Sequence, residues 1–210
     1  TLLLLPGQND YQILRPHPQA PLVRTLPFDL PEIADYPVAV GASPAFLSAQ
    51  SAIVVDVDSA AILYQKNPDF KLMPASTTKI MTALVAMEEY DLSEIVTVRE
   101  ADDSIGHSMG LVRGEQISVQ NLLYGILVES GNDAALALAQ HHPQGYQTFV
   151  DHMNQKAQDF HLAATSFRNV SGVEQFGHVT TVRDLSILAR AAMGNSTFAK
   201  MVATKTILVK

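Results

Sequence analysis

Apolar positions between Ser76 and Met87 fall on neighbouring helical stripes, with Ile80, Ala83, Leu84 and Met87 on one and Met81 and Val85 beside it. Recurrence at three and four residues stacks side chains on one side of a 3.6-residue helix, so the spacing predicts an amphipathic helix there. Val119 to Val128 carries the same signal, with Leu122, Leu123, Ile126 and Leu127 on one face. The pattern breaks at Ser130-Gly131-Asn132 and resumes from Asp133 to His141, with Asn132 or Asp133 expected as N-cap. Phe149 to Phe160 is a further helix, and Thr181-x-x-Asp184 is a capping-box-like start for another that Gly194 ends. Ala199 to Ala203 reads as a short last helix.

Strand signals lie mainly ahead of these helices. Ser51–Asp56 and Ala61–Gln65 are short β-branched or apolar runs around the turn signal Asp58-Ser59, which predicts a hairpin. Ile95 to Val98 and Thr206 to Val209 are the other strand-like runs. A helix-rich centre with strands mainly before it indicates an α+β fold rather than an alternating α/β one.

Prolines divide the chain. Eight of the eleven lie within residues 1–44, where lost amide donors and fixed φ angles stop helix and sheet from propagating. Residues 1–44 are therefore expected to be a Pro-rich linker or stalk, and 45–210 the folded domain. The four leucines that follow Thr1 are open to two readings, an arbitrary start or the tail of a signal or anchor segment whose start is absent, and the Pro-rich stretch after them favours the second.

Composition removes several classes of function. At 47% hydrophobic residues the 210-residue chain can build a packed core. A formal charge of -7 argues against bulk attraction to nucleic acid or an anionic membrane surface. Without cysteine there is no thiol catalysis, disulfide or Cys-based metal site. Of the seven histidines, adjacent His141 and His142 cannot share a helical face, and His17, His107, His152, His161 and His178 are scattered. No HExxH motif groups them, so they are expected to be surface or structural residues rather than ligands of a catalytic metal. No Gly-x-Gly-x-x-Gly or Walker loop supports nucleotide binding.

The nucleophile search yields more. Ser76-Thr77-Thr78-Lys79 sets a serine and a lysine three residues apart at the opening of the first helix, on one face and within mutual reach. A neutral lysine there could take the seryl proton, and the backbone N–H groups of the helix start could receive a developing oxyanion. An N-capping serine beside a surface lysine has the same spacing. Ser130-Gly131-Asn132, the only Ser-x-Asn, interrupts an apolar helical stretch and could present Ser130 and Asn132 to a cleft. A plain helix–turn–helix corner would read the same way.

Together the two motifs are the first two elements of the signature of penicillin-interacting serine enzymes. The stretches around them, P-A-S-T-T-K-I-M-T-A-L-V-A, G-E-Q-I-S-V-Q-N-L-L-Y-G-I-L-V-E-S-G-N-D-A-A-L-A-L-A, T-S-F-R-N-V-S-G-V and G-H-V-T-T-V-R-D-L-S-I-L-A-R, resemble the low-molecular-mass penicillin-binding proteins, D-alanyl-D-alanine carboxypeptidases, over roughly 50 to 205. The resemblance implies a penicillin-binding protein or serine β-lactamase-like fold, a helical subdomain plus an antiparallel sheet. It implies Ser76 as acylated nucleophile, Lys79 as general base, Ser130 as aid to proton transfer and Asn132 as binder of the substrate amide. Gly172, His178 and Thr180-Thr181 match structural stretches of the family. The reaction implied is removal of the terminal D-Ala from a peptidoglycan stem peptide, without cofactor, with β-lactams as acylating inhibitors. The place implied is the bacterial cell envelope, outside the cytoplasm, with a membrane tether through a missing N-terminal segment.

One motif departs from the family. Lys-Thr-Gly should follow on an edge strand, but the only Lys-Thr is Lys205-Thr206, followed by Ile207, whose β-branched side chain would crowd a substrate there. Lys205 also comes early in the family's order and is read as a decoy. The expectation is a domain truncated at its C-terminus, with a non-catalytic peptidoglycan- or β-lactam-binding relative as the alternative. A β-lactamase fits less well, since the second motif is Ser-Gly-Asn rather than Ser-Asp-Asn and no Glu-x-x-Leu-Asn occurs.

Overall fold

The computed structural model describes residues 46–100 and 106–208. The Pro-rich stretch 1–44 and the apolar start of the chain lie outside the described residues. The first element is the expected hairpin, in which β1 (Ala52–Val55) pairs antiparallel with β2 (Ile62–Lys66), Ile53 opposite Gln65. Its turn is held by Asp56, whose carboxylate accepts from the Ser59 N–H and hydroxyl. A 3-10 turn, Ala75–Thr77, leads into α1 (Thr78–Glu89), and β3 (Ile95–Thr97) pairs antiparallel with β4 (Gln116–Ser118). β4 is a strand the sequence pattern did not predict. Three residues alternating polar, apolar, polar are too short a signal, and pairing with β3 is what makes them a strand.

α2 (Val119–Val128) starts at Ser118, whose hydroxyl accepts from the Asn121 N–H, and α3 (Asn132–His141) follows after the break. α4 (Tyr146–Asp159), α5 (Val182–Gly194) and α6 (Ser196–Val202) complete the helices among the described residues. Thr181 caps α5 as expected, its hydroxyl accepting from the Asp184 N–H. The box is not reciprocal, because the Asp184 carboxylate accepts instead from the Ala164 N–H and the Thr165 hydroxyl. Residues 206–208 form no strand, contrary to the β-like pattern, having no neighbouring strand with which to exchange hydrogen bonds among the described residues.

α1 is central. Met81, Ala83, Leu84, Val85 and Ala86 are buried, and they pack with Leu122, Leu123 and Ile126 of α2, Leu138 of α3 and Phe149 and Met153 of α4. Wrapping α1 on several sides widens its buried face beyond one stripe, so Met81 and Val85 are as buried as Leu84. The hairpin is tied to α5, where Arg190 donates to the Val57 and Asp58 carbonyls and Arg183 forms a forked pair with Asp69. Helices gathered on α1 with antiparallel strands outside them make the fold α+β. Among the described residues no helix is long and apolar enough to cross a membrane.

Candidate active site

The segment ahead of α1 is pinned before it turns. Leu72 exchanges both backbone hydrogen bonds with Thr180, each 2.9 Å. Pro74 then accepts from the Thr77 hydroxyl at 2.6 Å, and Ala75 takes a left-handed backbone, φ +47°. A non-glycine residue there costs on the order of 1 kcal/mol, and this strain immediately precedes Ser76. The outcome is an exposed Ser76 above a buried Lys79, which is only 2% exposed. Lys79 Nζ lies 3.3 Å from Ser76 Oγ and donates to the Ser171 carbonyl at 2.8 Å. The reading of a capping serine beside a surface lysine is thereby excluded, since Thr77 is the N-cap and the lysine is inside.

Buried side chains hold the start of α1 from below. His178 is buried and its Nδ1 accepts from the Arg168 N–H, which leaves Nε2 to donate to the Thr78 hydroxyl at 2.8 Å. Burial, and then the Arg168 charge, lower the His178 pKa to about 4. Thr82 donates to the Val170 carbonyl at 2.7 Å, fixing the chain just before Ser171.

The second motif breaks the helix as expected, by a different device. Ser130 adopts φ +62°, and the Gly131 N–H turns back to the Gly125 carbonyl. Gly131, not Asn132 or Asp133, is the N-cap of α3, and no side chain caps it. Asp133 is used otherwise. Its buried carboxylate accepts from the Leu111 N–H, the Ser108 hydroxyl and the Met109 N–H, holding the 108–111 segment alongside the break. Burial pushes this carboxyl up, yet those hydrogen bonds and that of Ala134 outweigh it and leave the pKa below the ordinary range. The Asn132 N–H donates to the His107 carbonyl at 2.8 Å, and a Cβ on Gly106 would come within 2.6 Å of Asn132 Nδ2.

Ser76 stands on the walls of two cavities. One, of about 410 Å³, also presents Asn132, Gly106, Ser171 and Gly172. The other, of about 450 Å³, presents Lys79 and Ser130 and is otherwise largely apolar. Of the four residues predicted from the motifs, Ser76 thus shares one cavity wall with Lys79 and Ser130 and another with Asn132. Lys205, Thr206 and Ile207 line neither; they border a larger cavity, about 550 Å³, with Met109 and Tyr124. Residues the motifs did not reveal are Ser171, through its carbonyl, and Asp133. Among the described residues, a carboxylate and two histidines close enough to share a metal, Glu89, His142 and His152, lie elsewhere, toward the other end of α1.

Residues 38–207 match the family model described as D-alanyl-D-alanine carboxypeptidase. The chain is similar to D-alanyl-D-alanine carboxypeptidase DacF of Bacillus subtilis, 37% identical over 74% of this chain and 42% of that one. It is likewise similar to DacB2 of Mycobacterium tuberculosis, 37% identical over 74% of this chain and 54% of that one. Its fold matches penicillin binding protein 6B of Escherichia coli with a TM-score of 0.75 at 31% identity, over 82% of this chain and 58% of that one. The chain spans about half the length of these relatives.

Proposed function

The chain belongs to the D-alanyl-D-alanine carboxypeptidase family, and from that premise we propose that it removes the terminal D-Ala from peptidoglycan stem peptides through a Ser76 acyl-enzyme. The observation that carries this reading is the exposed Ser76 hydroxyl 3.3 Å from the amine of buried Lys79. Ser76 Oγ attacks the carbonyl carbon joining the two D-Ala residues, and its proton passes to neutral Lys79 Nζ. The Ser76 N–H, in the turn that opens α1, donates to the tetrahedral oxyanion. As the C–N bond breaks, Ser130 gives its proton to the departing amine and is reprotonated from Lys79. Asn132 holds the amide of the peptide in the cavity it shares with Ser76. Water then attacks the ester, returning a proton to Ser76 Oγ and releasing the shortened peptide.

The same reading makes β-lactams acylating inhibitors and places the protein in the bacterial cell envelope, outside the cytoplasm. A fluorescent penicillin tests it directly. Covalent labelling that disappears in Ser76→Ala, together with D-Ala release from a peptide ending in D-Ala-D-Ala, is the expected result. A folded chain that takes no label would overturn it. Labelling without D-Ala release would instead favour the non-catalytic binding relative, for which the position of Lys205-Thr206-Ile207, away from both Ser76 cavities, is the supporting observation.

A further inference from the structure

We propose that Glu89, His142 and His152 form a binding site for a divalent zinc-class cation, remote from Ser76. Glu89 is the last residue of α1, His142 is the C-cap of α3 and His152 lies within α4. One candidate ligand atom from each residue lies within 4.8 Å of the others. Glu89 Oε1 is in close contact with His152 Nδ1, and Glu89 Oε2 is 3.4 Å from His142 Nε2. Oε2 is buried and has no hydrogen-bond partner among the described residues. A buried carboxylate oxygen left without a hydrogen bond is costly unless something else takes its lone pair. A cation between it and the two imidazoles would do so.

The chemistry suits zinc. Two imidazole nitrogens and one carboxylate are a recurrent three-ligand zinc set, with the fourth position open to water. The His152 side chain is 45% exposed, which leaves that position an approach from solvent. The surroundings also favour positive charge. The carbonyl ends of α1 and α3, the negative poles of both helices, converge here. Glu94 lines the same cavity of about 380 Å³, where it pairs with His141 at 2.7 Å.

Binding has one identifiable structural consequence. The Gln144 N–H donates to His142 Nδ1 at 3.2 Å. A metal on Nε2 places the ring proton on Nδ1, so the Gln144 amide, in an exposed turn, must swing away on loading. Lys79 and Glu89 stand ten residues apart on α1, about 15 Å along its axis. The ion would therefore brace the ends of α1 and α3 against the middle of α4 and touch no reacting atom.

The test is zinc titration of the chelator-stripped full chain, followed by calorimetry, thermal unfolding and amide NMR. The proposal expects one Zn²⁺ per chain and a Tm raised by about 5 °C at a hundredfold excess over Kd. It expects the Gln144 amide resonance to move. It also expects cobalt to give the visible bands of a four-coordinate site. His152→Ala and Glu89→Gln should each weaken binding by about a hundredfold or more, beyond the ~10–100-fold typical of an outer-shell loss. His161→Ala, at an exposed histidine outside the cluster, should leave binding unchanged. His152 is the better variant than buried His142 because its partly exposed side chain can be removed without opening the core. Absence of stoichiometric binding at micromolar free zinc, or binding that survives both substitutions, would overturn the proposal.

Discussion

A Cβ on Gly172 would stand 1.8 Å from the carbonyl oxygen of Ala75. The loop that offers Ser171 to Lys79 and the turn that carries Ser76 are thus packed main chain on main chain. Gly172 has φ +89°, a conformation glycine adopts at little cost, so this position excludes a side chain on two counts. Gly172→Ala should destabilise the domain by about 3 kcal/mol, combining overpacking with backbone strain. Chemical denaturation checks the loss, and penicillin labelling should slow at a temperature where the variant is still folded. A variant of unchanged stability would show that the two loops part easily.

Lys79→Met removes the amine while keeping most of the buried volume. Labelling of Ser76 by a fluorescent penicillin should fall by about 10²–10⁴, the usual contribution of a positioned general base. Far-ultraviolet circular dichroism should be unchanged, which separates loss of chemistry from loss of fold. Labelling at the parent rate would remove Lys79 from the proposed mechanism.

Asp133 ties three donors of the 108–111 segment to the start of α3. Asp133→Ala strands two backbone N–H groups and a hydroxyl, and should cost about 3 kcal/mol. Because the Asp133 pKa is lowered, its ionised form supports the fold above the ordinary aspartate value, and that support fades as pH falls through the lowered one. Protection factors of the Met109 and Leu111 amides, taken relative to the intrinsic exchange rate at each pH, should therefore fall on acidification, and be low already at neutral pH in Asp133→Ala. Protection that is indifferent to both changes would refute the anchoring role.

His178 sets a different pH window. An unfolded histidine takes a proton near pH 6.5, whereas buried His178 does so at about 4. Between those values the unfolded chain binds a proton that the folded chain refuses, so stability is full above about 6.5 and declines as pH falls toward 4. The decline attributable to this residue should be on the order of 2 kcal/mol, read from Tm across that range. His178→Gln, which can still donate to Thr78, should flatten that part of the profile. A slope that persists in the variant would assign the dependence to other groups.

How far the sequence reached can be followed residue by residue. The neighbouring stripes of Ile80, Ala83, Leu84 and Met87 and of Met81 and Val85, and the face of Leu122, Leu123 and Ile126, announced α1 and α2, because helix packing leaves a local period. The break at Ser130-Gly131-Asn132 was also legible, since three poor helix formers interrupt an apolar period, although Ser130 rather than Gly131 takes the left-handed backbone. β4 was not, having three residues and a partner about twenty positions away. Nor was the N-cap of α3, because Asp133 has acceptors enough to hold another loop and is drawn there by Ser108, Met109 and Leu111.

By itself the sequence determined which chemistry could be present. Ser76 and Lys79 are three residues apart, and helix geometry alone brings them into reach; Ser130 and Asn132 stand together because the helix must break between them. Only the tertiary structure decided that Lys79 is buried beneath an exposed Ser76 and that the two motifs share the walls of the same cavities. It alone joined Lys79 to Ser171, 92 residues on, and Thr78 to His178, 100 residues on. It also gathered Glu89, His142 and His152 from three helices. The physical reason is the range of the interactions. Periodicity and turn chemistry act within a few residues and are written locally, whereas burial and long-range hydrogen bonds depend on which helix faces meet when the core closes.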